Sequence, residues 1–109
     1  MSAPEELAVR ALRKLKVLGA TETASPEDLE LAVQGVRDAH NLFSGQGLLR
    51  WTLDDIPEDV DLGYVLMAAF FMAPDFVQPQ EASWASGGLG IIQNYVNLPT
   101  SGEVYSVEL

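Results

Sequence analysis

The sequence contains no cysteine, which excludes disulfides and thiolate metal ligands and leaves folding to rest on packing. It has one histidine, His40, so neither a two-histidine metal site nor a cysteine–histidine nucleophilic pair can be assembled. Cations are scarce: six lysines and arginines stand against sixteen acids, for a formal charge of -10. Such a surface is ill suited to holding nucleic acid by phosphate neutralisation and points to proteins as partners. Long hydrophobic runs are missing as well. The longest, Tyr64 to Ala73, is about half of a membrane span, and no basic-then-apolar leader opens the chain. The expectation is a soluble, non-secreted protein with no membrane partner.

What is present fits one globular domain. The 109 residues are 48% apolar and 20% charged, too hydrophobic for a disordered chain and large enough to bury roughly two-thirds of the unfolded surface. Pro4 suits a first helical turn, and Leu7, Ala8, Ala11, Leu12, Leu15 and Leu18 then share one helical face, with Gly19 as the expected stop. Ser25-Pro26-Glu27-Asp28 combines a capping serine, a proline for the first position and two carboxylates for the positive end of the helix dipole. From it Leu29, Val33, Val36, His40 and Phe43 recur at helical steps as far as Ser44, before Gly45 and Gly47 break the pattern.

Asp54-Asp55-Ile56-Pro57-Glu58-Asp59 marks the start of a third helix running to about Ala73. Its stretch from Leu62 to Ala73 is uncharged and apolar all round, so it must be buried on most sides. A chain this short is expected to cover it only in part, which assigns Leu62, Tyr64, Val65, Leu66, Met67, Phe70, Phe71 and Met72 to an interface between subunits. Pro74 and Pro79 bracket a turn. Trp84, Gly88, Ile92 and Val96, with Leu89 beside them, predict a fourth helix, bent or interrupted around Gly87, Gly88 and Gly90. Beyond Pro99 the alternation of apolar and polar residues reads as an extended arm suited to a partner's sheet edge or groove, with Val104, Tyr105, Val107 and Leu109 as its docking side chains. The fold class is therefore mainly α: a compact bundle of three to four helices over residues 1–98, with an extended C-terminal arm over 99–109.

Little of this is chemistry. His40 lies on an apolar stripe and reads as a partly buried structural side chain. Asp54, Asp55, Glu58, Asp59 and Asp61 lack the spacing of a calcium loop and are accounted for as carboxylates at a helix start. Gly87-Gly88-Leu89-Gly90 matches no phosphate-cradling loop. No enzyme activity, cofactor or metal is expected. The first helix concentrates four of the six cations, Arg10, Arg13, Lys14 and Lys16; on so acidic a molecule they form a candidate docking patch.

The run Leu7-Ala8-Val9-Arg10-Ala11-Leu12-Arg13-Lys14-Leu15-Lys16-Val17-Leu18-Gly19, then Ser25-Pro26-Glu27-Asp28, resembles the start of bacteriophage head-to-tail adaptor proteins, also called head completion, connector or tail accessory proteins. The resemblance continues through Gly47-Leu48-Leu49-Arg50-Trp51 and the acidic start of the third helix, covering about nine-tenths of the chain. It rests on the order and spacing of motifs that are individually common. It implies a helical virion subunit, assembled in the host cytoplasm, that forms a ring, typically of twelve copies, beneath the portal at the head–tail interface. Its implied partners are copies of itself, the portal protein, a tail or stopper protein, and genomic DNA that passes through the channel without sequence-specific binding. The chain departs from relatives in lacking a long insertion after Trp51 and a long C-terminal helix. A small acidic helical regulator, or a DNA mimic occupying a nucleic-acid-binding protein, is the competing reading; it needs carboxylates spaced like phosphates, whereas these gather at helix starts. A carboxylate hydrolase is a third, and would need two acids sharing one pocket.

Overall fold

The computed structural model describes residues 2–97. The expected arm, with Val104, Tyr105, Val107 and Leu109, lies outside the described residues.

Four helices form the bundle: α1 (Pro4–Lys14), α2 (Pro26–Gly45), α3 (Asp61–Met72) and α4 (Ala82–Asn97). Short 3-10 turns, Glu58–Val60 and Ala73–Phe76, lead into and out of α3. Among the described residues there is no strand, only an isolated antiparallel bridge between Ser2 and Ile56 that ties the start of the chain to the approach to α3.

The helix starts follow the sequence closely. Ser25 Oγ accepts from the Asp28 amide at 3.2 Å, with Pro26 in the first turn of α2. At α1 the Ala3 amide donates to Glu6 Oε1 at 3.0 Å, occupying one backbone donor near the helix start. The end of α1 differs from expectation. The helix closes before Gly19: Lys16 takes a left-handed conformation, φ 62°, its amide reaching Arg13 O at 3.0 Å while the Val17 amide reaches Leu12 O at 3.1 Å. This is a Schellman closure built on lysine where glycine is usual. It turns the chain early enough to bury Leu15 and Leu18 against the bundle.

The third helix is the centre. It packs against α1, α2 and α4, and this explains why it is apolar all round. Asp61 meets α1 through Arg10; Ala68 approaches Gly35 of α2; Gly63 meets Gly88 of α4. The last crossing brings two backbones together: a Cβ built on Gly88 would lie 2.8 Å from Gly63 O, and one on Gly63 would lie 3.1 Å from Gly88 O. The fourth helix is a single element through all three of its glycines, without the expected interruption. On α2 the buried line is Ala32, Gly35, Val36, Ala39 and Phe43, while Leu29, Val33 and His40 are half-buried at its margins.

Candidate functional site

The central position of α3 divides the side chains assigned to a subunit interface. Tyr64, Val65, Met67 and Met72 are at most 3% exposed, inside the chain's own core, and are corrected accordingly: three helices surround α3, so these residues have no surface to offer a neighbour. Leu62 is 49% exposed, and Leu66, Phe70 and Phe71 are half-buried.

Helical geometry shows where the uncovered residues point. At about 100° per residue, the side of α3 carrying Asp61 faces α1, Gly63 and Met67 face α4, and Tyr64 and Ala68 face α2. Leu62, Leu66 and Phe70 follow one another at steps of four in the remaining sector, between α1 and α4. They form an apolar stripe of which Leu62 is exposed and Leu66 and Phe70 are half-buried. On the α1 side Arg10 donates to Asp61 Oδ2 at 3.2 Å, and Lys14 Nζ sits 5.3 Å from the centroid of Trp84, reaching from α1 across to α4. On the α4 side Gly87 approaches Leu66, and no charged residue occurs between Ala82 and Asn97. Of the four cations of the expected docking patch, Arg10 and Lys14 make these contacts, while Arg13, one turn along from Arg10, and Lys16, in the closing turn, are exposed.

The outer face of α2 has the opposite character. Glu27, Glu30, Leu31, Gln34 and Asp38 lie along the side turned away from the core, with Leu31 42% exposed among them. An open depression of about 910 Å³ lies along this helix, reaching Glu5 on α1 and Arg37 near its far end.

Inside the bundle a polar triad holds the elements in register. Tyr64 is fully buried, and its hydroxyl lies 2.7 Å from His40 Nδ1 on α2 and accepts from Trp51 Nε1 at 2.9 Å. Because indole only donates, every group is satisfied when the Tyr64 O–H donates to an unprotonated Nδ1, which sets His40 as the neutral Nε2–H tautomer. Burial pushes the Tyr64 hydroxyl up to about 12, partly opposed by the bond from Trp51, and burial lowers the pKa of His40 below its ordinary 6.5. Trp51 packs edge-on to Tyr95, and Arg50 donates to Val96 O at 2.8 Å, so the loop after α2 is pinned to the end of α4. Sequence reasoning placed His40 correctly on a stripe but gave Tyr64 and Trp51 no joint role; a lone tyrosine in an apolar helix and a tryptophan in a loop were the available signal.

Asp54, Asp55, Glu58 and Asp59 are exposed at the approach to α3, whereas Asp61 is mostly buried, taking Ser2 Oγ at 2.7 Å as well as Arg10. Among the described residues no three histidine, cysteine or acidic side chains gather as a metal site, and no helix is long and apolar enough to cross a membrane. No protein-family model, curated protein or solved structure matches this chain.

Proposed function

We propose that this chain is a structural protein that associates laterally with copies of itself into a ring, and that the ring joins the head of a tailed bacteriophage to its tail. In this reading it sits beneath the portal protein, extends the DNA channel and presents a docking surface to a tail or stopper protein. The observation that carries the reading is the stripe of Leu62, Leu66 and Phe70, apolar side chains that the chain's own helices leave partly exposed beside an uncharged α4. A stripe of that kind calls for a protein neighbour. The order of motifs supplies the particular setting. The formal charge of -10 suits a channel wall, since each phosphate contact would add salt-dependent affinity for the passing DNA. Arg13 and Lys16, both exposed, remain for an acidic surface on the portal.

The test is native mass spectrometry of the protein alone and mixed with a portal ring. The expected result is a stoichiometric ring of this chain on the portal. A monomer whose mass is indifferent to portal and to concentration overturns the reading.

A further inference from the structure

The loop between α2 and α3 is tied down differently at its ends and in its middle. Its ends are fixed by backbone bonds, from the Leu48 amide to Phe43 O at 3.2 Å and from the Ser2 amide to Ile56 O at 2.9 Å. Between them, among the described residues, no amide from 49 to 54 donates to another backbone group. Two side chains hold this middle part by hydrogen bonds. Arg50 donates to Val96 O at 2.8 Å, and Trp51 donates to the Tyr64 hydroxyl at 2.9 Å while packing edge-on to Tyr95. The other partner of that hydroxyl is His40 Nδ1, at 2.7 Å.

We infer that the segment carrying Arg50 and Trp51 is a proton-released strap: a proton taken up by His40 removes the acceptor of the Tyr64 hydroxyl, and the strap lifts from the end of α4 while the rest of the bundle stays folded. The hydrogen-bond count drives the opening. In the closed form Tyr64 donates to Nδ1 and accepts from the indole, so all three groups are satisfied. With Nδ1 protonated, both neighbours of the hydroxyl are donors, and the tyrosine proton has no acceptor in a fully buried position. Tyr64 and His40 sit on helices, whereas Trp51 is half-buried on a segment without backbone bonds of its own. Withdrawing Trp51 is thus the least costly relief, because water then enters beside Tyr64 and accepts its proton.

No neighbouring charge offsets the added proton. On α3 the titratable groups are Tyr64 and Asp61, and Asp61 is taken by Ser2 and Arg10. The other helix packed on α2 is α1, where Glu6 accepts from the Ala3 amide and Glu5 lines the depression that also holds Arg37. Of the α1 cations, Arg10 is on Asp61, Lys14 is over Trp84, and Arg13 and Lys16 are exposed. In the connection to α3, Arg50 is turned to Val96, and Asp54, Asp55, Glu58 and Asp59 are exposed. On α2 itself Asp38 accepts from Gln34. Burial alone lowers the pKa of His40, so the strap opens below the ordinary value of 6.5 and is closed above it.

The two tryptophans provide a measurement with its own control. Hydrogen exchange of the Trp51 indole N–H is followed by NMR against that of Trp84, which packs against Lys14 outside the triad, so that their ratio cancels the pH dependence of the exchange chemistry. From pH 8 to pH 5 the Trp51 indole is expected to lose protection by about tenfold or more relative to Trp84, with the α3 backbone amides still protected. His40→Asn, whose side-chain oxygen takes the place of Nδ1 and does not titrate, should hold the ratio constant. Tyr64→Phe, which lacks the shared hydroxyl, should leave Trp51 unprotected at both ends of the range. A constant ratio in the wild type, the result if His40 swings out alone and leaves Trp51 bonded to Tyr64, overturns the inference. So does an equal fall in His40→Asn, or a loss of Trp51 protection only together with the α3 amides, which is unfolding of the whole bundle.

Discussion

Lys16 and His40 show how far a single side chain can be at odds with its surroundings. Lys16 closes α1 in a left-handed conformation that costs an L-residue roughly 1–2 kcal/mol and costs glycine almost nothing. Lys16→Gly is therefore expected to stabilise the fold by about 1 kcal/mol, seen as a rise in Tm of roughly 4–8 °C for a domain of this size. That a lysine stands there hid the helix end in the sequence, where Gly19, three residues on, was the better punctuation mark. His40 makes a different demand. Its lowered pKa means that the unfolded chain takes up a proton more readily than the folded one, so stability is fully present above pH 6.5 and declines as pH falls below it, towards the folded value. Protonation puts a hydrogen on Nδ1, which then competes with the Trp51 N–H for the oxygen of Tyr64 and strips the tyrosine proton of its acceptor. Thermal melts from pH 8 to pH 5 should show this loss, and His40→Gln, which can still accept from Tyr64, should flatten it. An equal slope in the variant would assign the effect to other groups.

Among the elements, α3 and α4 are held by a contact that glycine alone permits. Gly88→Ala would press a methyl group to within 2.8 Å of Gly63 O, a backbone atom that cannot turn aside, and is expected to destabilise by about 1–3 kcal/mol. Gly90, with nothing within 4 Å of its would-be Cβ, should behave oppositely, Gly90→Ala adding up to about 1 kcal/mol through helix propensity. Denaturant titration of the two variants checks the pair, and equal effects of the same sign would deny the close crossing. All four helices, the starts of α1 and α2 and the buried faces of α1 and α4 were legible in the sequence, because capping chemistry and helical periodicity are local; the acidic run Asp54 to Asp59 marked a start that α3 makes only at Asp61, after a 3-10 turn. What covers α3 was not. Periodicity reports that a helix is apolar all round, but whether its neighbours come from the same chain is decided by three packing arrangements between distant segments. That is why Tyr64, Val65, Met67 and Met72 were assigned to a neighbour's cover and are found in the chain's own core, while Leu62, Leu66, Phe70 and Phe71 retain exposed surface.

At the scale of the whole molecule, composition and the glycine and proline breaks were enough for the class of the fold, yet could not tell the four cations of the α1 region apart by what they touch. Arg10 and Lys14 reach α3 and α4, while Arg13 and Lys16 do not, and that distinction needs the bundle to be closed. The half-exposed stripe of α3 has the same dependence. The stripe of Leu62, Leu66 and Phe70 lies on α3 between α1 and α4, and although α3 and α4 follow one another, α2 separates α1 from both. During synthesis α2 can form soon after residue 45 has emerged, but α3 is covered on its α4 side only after residue 97 has emerged and α4 has docked. A growing chain still on the ribosome therefore leaves open the apolar side of α3 that α4 later covers, until the last helix arrives.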